Sequence, residues 1–189
     1  LNGIALGSAY ALIALAFVII YKATGVINFA QGTMMLAGAL VAYSIHDSWG
    51  VSFYPALILS MIGGALIGIL IERLIMRLLV GQPPFAQLMV TIGILFVLTE
   101  VCNDVWGTEP LVLSTPWGND TVDIGGATLA VASLWRIGFT AVAMIVFFLF
   151  FRYSSTGLSM RATALDQEAA LAQGISARRV YITAWGISG

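Results

Sequence analysis

The chain has 189 residues, 60% of them hydrophobic and only 9% charged, with a formal net charge of −1 and a mean hydropathy of +0.98. A soluble domain carries about 25% charged residues, so this composition excludes a water-exposed globular surface. One cysteine, Cys102, and one histidine, His46, exclude an internal disulfide and a Cys/His metal site. A small packing residue and an interfacial polar residue are the roles left for them.

The charges fall in clusters that leave uncharged runs over residues 1–21, 23–45, 48–71 and 78–99. Each reaches the ~20 apolar residues with which an α-helix crosses a hydrocarbon core of about 30 Å. None alternates as a membrane β-strand would, and backbone groups in lipid must bond within their own segment. The expected fold is therefore all-α: a polytopic membrane helix bundle with about five complete spans and the start of a sixth. No nucleic-acid-binding signal is present. Residue 1 opens directly into a span without a basic leader region. The chain begins without Met and stops at Gly189 inside a new apolar run, so it is expected to be a fragment, truncated at least at the C-terminus.

The first span is expected over residues 4–20, with Gly3 and Gly7 four apart on one face; small residues at that spacing let helices approach closely in lipid. After Lys22, residues 24–33 lead into the second span, which ends near Ile45. That stretch, Thr24 to Thr33, holds two glycines and several polar side chains at a membrane edge, where polar groups normally face protein or a water-filled cavity. On a helix Asn28, Gln31 and Gly32 would share a face; a turn with a capping Asn is the other reading. The third span, residues 53–71, carries a second spaced pair, Gly64 and Gly68, and is closed by Glu72, Arg73 and Arg77. Gly81-Gln82-Pro83-Pro84 is a loop, since proline restrains its neighbour and cannot continue a helix.

The fourth span is expected over residues 85–101 and contains Thr91, with Glu100 an interfacial carboxylate at its end. Residues 103–133 form a long polar segment with Pro110, Pro116 and Gly125-Gly126 as turn formers, and residues 122–131 suit a short hairpin. The fifth span starts near Val131, with Trp135 and Arg136 as interfacial anchors. Residues 152–179 are the second polar interruption, and a sixth span opens near Val180. If 152–179 is cytoplasmic, alternation places seven of the eight basic residues inside and only Arg136 outside. That matches the positive-inside rule and puts residue 1 on the outer side.

Within that loop, residues 159–174 read as helical, with Ala162, Leu165, Ala169 and Ala172 forming a narrow apolar stripe and Gly174 as the stop. Helices that lie on membranes favour basic and large apolar residues; an alanine stripe suits a tight protein groove.

Glu168-Ala169-Ala170 followed by Gly174, between two spans, resembles the EAA loop of ABC importer permeases. The flanks are more specific. Residues 7–12 (Gly-Ser-Ala-Tyr-Ala-Leu), residues 25–32 (Gly-Val-Ile-Asn-Phe-Ala-Gln-Gly), Thr91-Ile92-Gly93, and the series Arg161, Ala162, Leu165, Asp166, Ala169, Ala170, Gly174, Ile175 resemble the branched-chain amino-acid permease group. The resemblance runs from about residue 3 to 189. The Ile-x-Leu-Pro element of the general loop is absent after Gly174, which favours this subgroup. The resemblance implies one transmembrane permease domain over residues 1–189 in the inner membrane of a prokaryote. Its coupling loop, 152–179, would dock on a cytoplasmic ATPase through Asp166, Glu168, Ala169, Ala170 and Gly174. It further implies a second permease subunit, the same or paralogous, and an extracytoplasmic substrate-binding protein. Members carry leucine, isoleucine and valine, and related systems carry urea or short amides.

The chain has no phosphate-cradling Gly-x-x-x-x-Gly-Lys-Ser/Thr, so ATP hydrolysis falls to separate subunits. No catalytic set, cofactor or metal ligand set is expected. Asn28, Gln31, Gly32 and Thr91 are the candidate residues of the substrate pathway. An ion-coupled secondary transporter is the competing class; it would need mid-span acids or repeated broken helices, and neither is legible in the sequence.

Overall fold

Long uncharged stretches with few strand formers in alternation give helices, and helices dominate. A computed structural model describes residues 2–118, 120–124 and 127–189, apart from the side chains of Asn2, Ile124, Ala127, Thr128, Gln167 and Glu168. The helices are α1 (Asn2–Thr24), α2 (Gln31–Tyr43), α3 (Phe53–Leu74), α4 (Pro84–Trp106), α5 (Val131–Tyr153), α6 (Ser155–Leu165), α7 (Gln167–Ala172) and α8 (Ala177–Ser188). Four of these, α1, α3, α4 and α5, are long and apolar enough to cross a membrane. Strands β1 (Thr121–Ile124) and β2 (Ala127–Ala130) pair antiparallel, Thr121 opposite Ala130. The expected hairpin is present, while its Gly125-Gly126 turn lies outside the described residues.

The second crossing is not one continuous helix. α1 runs on to Thr24, the backbone then leaves helical geometry at Gly25 (φ 71°), and α2 begins only at Gln31. A π-helical turn, Ser44–Ser48, extends α2 at its far end. Gly25 has no Cβ to oppose the left-handed conformation, and Asn28 supplies a side-chain acceptor for a turn. Together these break the helix within an otherwise uncharged run. The span count becomes four full-length helices, one discontinuous crossing and α8.

The fourth span is also longer than residues 85–101. α4 starts on a proline pair, where the missing N–H is no loss, and continues to Trp106 before Gly107 (φ 80°) ends it. Trp106 Nε1 donates to Ser44 Oγ at 2.6 Å, tying the polar end of α4 to the π-turn. Around the same end, Trp117 from the long loop sits between Phe53 at the start of α3 and Trp135 at the start of α5, with ring centroids 5.3 and 5.4 Å apart. Such a ring of aromatic side chains fits a membrane–water boundary.

α8 forms the centre of the bundle. Its Trp185 packs with Ile20, Met34, Ile71 and Ile94, while its Val180 and Ala184 pack with Ile19, Ala23 and Met160 of α6. Lipid is as apolar as these side chains, so close packing rather than water exclusion holds them. Gly68 makes that packing possible: a Cβ built there would fall on the Trp185 carbonyl, and one on Gly64 on the Gly189 carbonyl. Gly3 and Gly7 face open space, where a Cβ would meet nothing. The two spaced-glycine pairs thus sit in different settings within this chain.

Candidate functional site

The helix directions gather Lys22, Arg73, Arg77, Arg152, Arg161, Arg178 and Arg179 at one end of the bundle, and the predicted pathway and coupling residues lie at or near that end. They form two groups, one inside the bundle and one projecting from it.

The inner group surrounds the break in the second crossing. Asn28 lies before α2 rather than on it, so Asn28, Gln31 and Gly32 do not share a helical face. Asn28 Oδ1 accepts from the Ala30 amide at 3.1 Å, and its Nδ2 donates to Gln31 Oε1 at 3.2 Å. Of the two readings left open by the sequence, the turn is the one formed, but Asn28 closes it on the Ala30 amide and does not cap α2, whose N-cap is Ala30 without a side-chain cap. Thr91 on α4 clamps the same stretch: its Oγ1 accepts from the Phe29 amide at 3.3 Å and lies 3.2 Å from the Ile27 carbonyl oxygen. Asn28 and Thr91 are both 0% exposed, Gln31 is buried beside them, and Gly32 is exposed.

Irregular backbone is tolerated in a membrane only where protein or a wet cavity satisfies it, and these side chains do so. The depth follows from the partners. Thr91 lies about 10 Å into α4 from Pro84 at 1.5 Å per residue, so the break reaches well below the helix ends. Next to it a cleft of about 180 Å³ opens among Thr24, Val26, Gly81, Gln82, Gln87 and Tyr181.

Gln31 also reaches α8. Its Nε2 donates to the Ser188 carbonyl at 3.0 Å, and Ser188 Oγ donates to Gln31 Oε1 at 2.8 Å. Ser188 was not singled out from the sequence. Glu72 is a second residue whose environment the sequence hid: it is 2% exposed at the end of α3 and pairs with Arg77 at 3.3 Å. A lone acid beside two arginines reads as an ordinary interfacial cluster, and no spacing signal marked it for burial.

The projecting group is the loop after α5. Ser154 caps α6, its Oγ accepting from the Thr156 and Gly157 amides; Met160 buries α6 against α1 and α8. The single helix expected over 159–174 is two helices. Asp166 adopts φ −153° and ψ 105° and caps α7, its Oδ1 accepting from the Ala169 amide at 3.0 Å. An acceptor that satisfies a free amide at a helix start competes with continuation of the helix through it.

α7 ends at Gly174 (φ 82°), with the Ile175 amide donating to the Ala170 carbonyl and the Gly174 amide to the Leu171 carbonyl. That is a Schellman termination, which needs the left-handed conformation glycine adopts freely. Ala170 is buried beneath α7, whereas Asp166, Ala169 and Gly174 are exposed. The Glu168 side chain lies outside the described residues. Leu165, at 89%, is the most exposed large apolar side chain among the described residues, and Leu171 is half-exposed on the same projection. Among the described residues, no three His, Cys, Asp or Glu side chains converge to hold a metal.

These elements make an all-α, multi-pass membrane protein with a broken crossing and a capped helix projecting from its basic end. A family profile described as branched-chain amino acid transport system / permease component matches residues 1–189, and the chain belongs to that family. It is 32% identical over 195 residues to the high-affinity branched-chain amino acid transport system permease protein LivH of Salmonella typhimurium, covering 95% of this chain and 62% of that protein. Against the high-affinity branched-chain amino acid transport system permease protein BraD of Pseudomonas aeruginosa the identity is 28%, again covering 95% and 62%. A probable branched-chain amino acid transport permease protein LivH of Methanocaldococcus jannaschii is 25% identical, covering 94% and 58%. The chain thus spans about three-fifths of the length of these relatives. No solved structure matches it.

Proposed function

We propose that the chain is membrane-embedded permease sequence of an ATP-driven importer for branched-chain amino acids. The observation that carries this is the exposed apolar edge of the loop after α5. Leu165, Ala169 and Leu171 are exposed at the basic end of the bundle, beside a helix capped at both ends by Asp166 and Gly174. A rigid short helix with small side chains suits a groove on a partner protein. In this account the partner is a cytoplasmic ATPase, the basic end is cytoplasmic by the positive-inside rule, and residue 1 starts outside.

Substrate passes the break at Gly25–Ala30, with Asn28, Gln31, Gly32 and Thr91 shaping the wall and apolar neighbours suiting an aliphatic side chain. A second permease subunit completes the pore, and an extracytoplasmic binding protein delivers substrate to it. ATP-driven closure of the ATPases moves α7 and with it the bundle, a two-state change biased from one end.

The test is co-purification and uptake by the full assembly with Ala169→Arg or Gly174→Arg. Both variants are expected to release the ATPase or to hydrolyse ATP without import. ATPase binding and uptake at the unmodified level in both variants rule out α7 as the coupling helix.

A further inference from the structure

We propose that Ser188 of α8 is a positioning residue that forms, with Gln31, a two-position latch between the coupling loop and the broken crossing. This rests on the transport function inferred above and extends it from the loop to the site that the loop must reach.

The chain path makes α8 the carrier. Only Ile175 and Ser176 separate Gly174, the stop of α7, from Ala177, the start of α8. A displacement of α7 therefore enters α8 directly. On one side α8 is fixed. Gly68 meets the Trp185 carbonyl with no room for a Cβ, and a Cβ on Gly186 would sit 3.0 Å from Ile69 Cγ1. Backbone-to-backbone contact of this kind has one arrangement, so α3 and α8 move as a unit.

On the other side the contact is made by exchangeable hydrogen bonds. Gln31 Nε2 donates to the Ser188 carbonyl at 3.0 Å, while Ser188 Oγ lies 2.8 Å from Gln31 Oε1 and 3.1 Å from the Ala16 carbonyl of α1. A serine hydroxyl has one proton, so it serves α2 or α1 at any moment. Both acceptors are already in place. That gives two alternative hydrogen bonds at a largely buried contact, the kind of discrete alternative that transmission between distant sites requires.

The α2 state leads on to the break. Gln31 Oε1 also accepts from Asn28 Nδ2, and Asn28 Oδ1 closes the turn on the Ala30 amide. When the hydroxyl turns to Ala16, the Gln31 amide loses one of its two holds on α8, and the turn before α2 is freed to shift against α3 and α8. The shorter contact, to Gln31 at 2.8 Å, is the resting state.

The test uses the complete transporter reconstituted in vesicles, with ATP hydrolysed and substrate imported measured per assembled complex. Ser188→Ala is expected to lower substrate imported per ATP about fivefold, the factor that one buried hydrogen bond is worth, and Ser188→Thr, which keeps the hydroxyl, to restore it. Should the alanine variant fail to assemble, Ser188→Cys, a weak donor of similar size, is expected to give an intermediate ratio. An unchanged ratio in the assembled variant overturns the latch, and so does a loss confined to the amount of complex. Absence of ATP-driven import by the unmodified complex refutes the transport function instead, so the two failures are separable.

Discussion

Replacing Thr91 with valine removes one oxygen and little volume, and the effect should appear at a backbone amide on another element. The Thr91 hydroxyl is the acceptor for the Phe29 amide at 3.3 Å and donates within α4 to the Leu88 carbonyl at 2.8 Å or across to the Ile27 carbonyl at 3.2 Å. Valine fills the same space, so no cavity opens; what changes is that the Phe29 N–H loses its partner in a partly buried contact. An unsatisfied buried donor costs about 1–3 kcal/mol, so local opening of residues 27–30 becomes about five- to 150-fold more frequent. Hydrogen exchange at the Phe29 amide reads this directly. Exchange should accelerate within that range in Thr91→Val and return towards the original rate in Thr91→Ser, which restores the oxygen. An unchanged rate in the valine variant refutes the clamp, and with it the reason irregular backbone is tolerated there.

Gly68→Ala should lower the unfolding midpoint of the purified permease through about 1–3 kcal/mol of overpacking against Trp185, whereas Gly7→Ala, where a Cβ meets nothing, should leave it unchanged or raise it by the helix preference of alanine. Asp166→Ala removes the cap of α7 and should weaken ATPase binding about fivefold, as a loss of about 1 kcal/mol at a helix N-cap implies; titration of the permease with the isolated ATPase measures it. Ser188→Ala should lower import per ATP, as set out above.

Charge-free runs located α1, α3 and α4 because a crossing helix must be long and apolar, and length and apolarity are visible residue by residue; α5 is interrupted by Arg136 and was placed with Trp135 and Arg136 as its interfacial anchors. The start of α5 at Val131 and the stop of α7 at Gly174 were legible for equally local reasons. The break at 25–30 was half-legible: its glycines and polar side chains left a turn open, but the uncharged run over residues 23–45 concealed where α2 starts, since hydropathy reports composition while the break comes from the backbone freedom of Gly25 and the turn made by Asn28. Asp166 misled in a similar way. On a helical wheel it sits with the polar residues, and only its cap to Ala169 reveals that it starts a new helix. Ser188 could not have been found locally, since its partners Gln31 and Ala16 lie 157 and 172 positions away. Of the candidate pathway residues, the identities of Asn28, Gln31 and Thr91 pointed to one place, but their common role in closing the break depends on α4 meeting the turn before α2.

The central claim is that this bundle is driven from its basic end by ATP. Its most direct test is leucine accumulation by the complete reconstituted transporter, with internal ATP and the transmembrane ion gradients varied independently. Accumulation should follow internal ATP and be indifferent to collapse of the gradients. Uptake that persists without ATP and vanishes with an ionophore contradicts it.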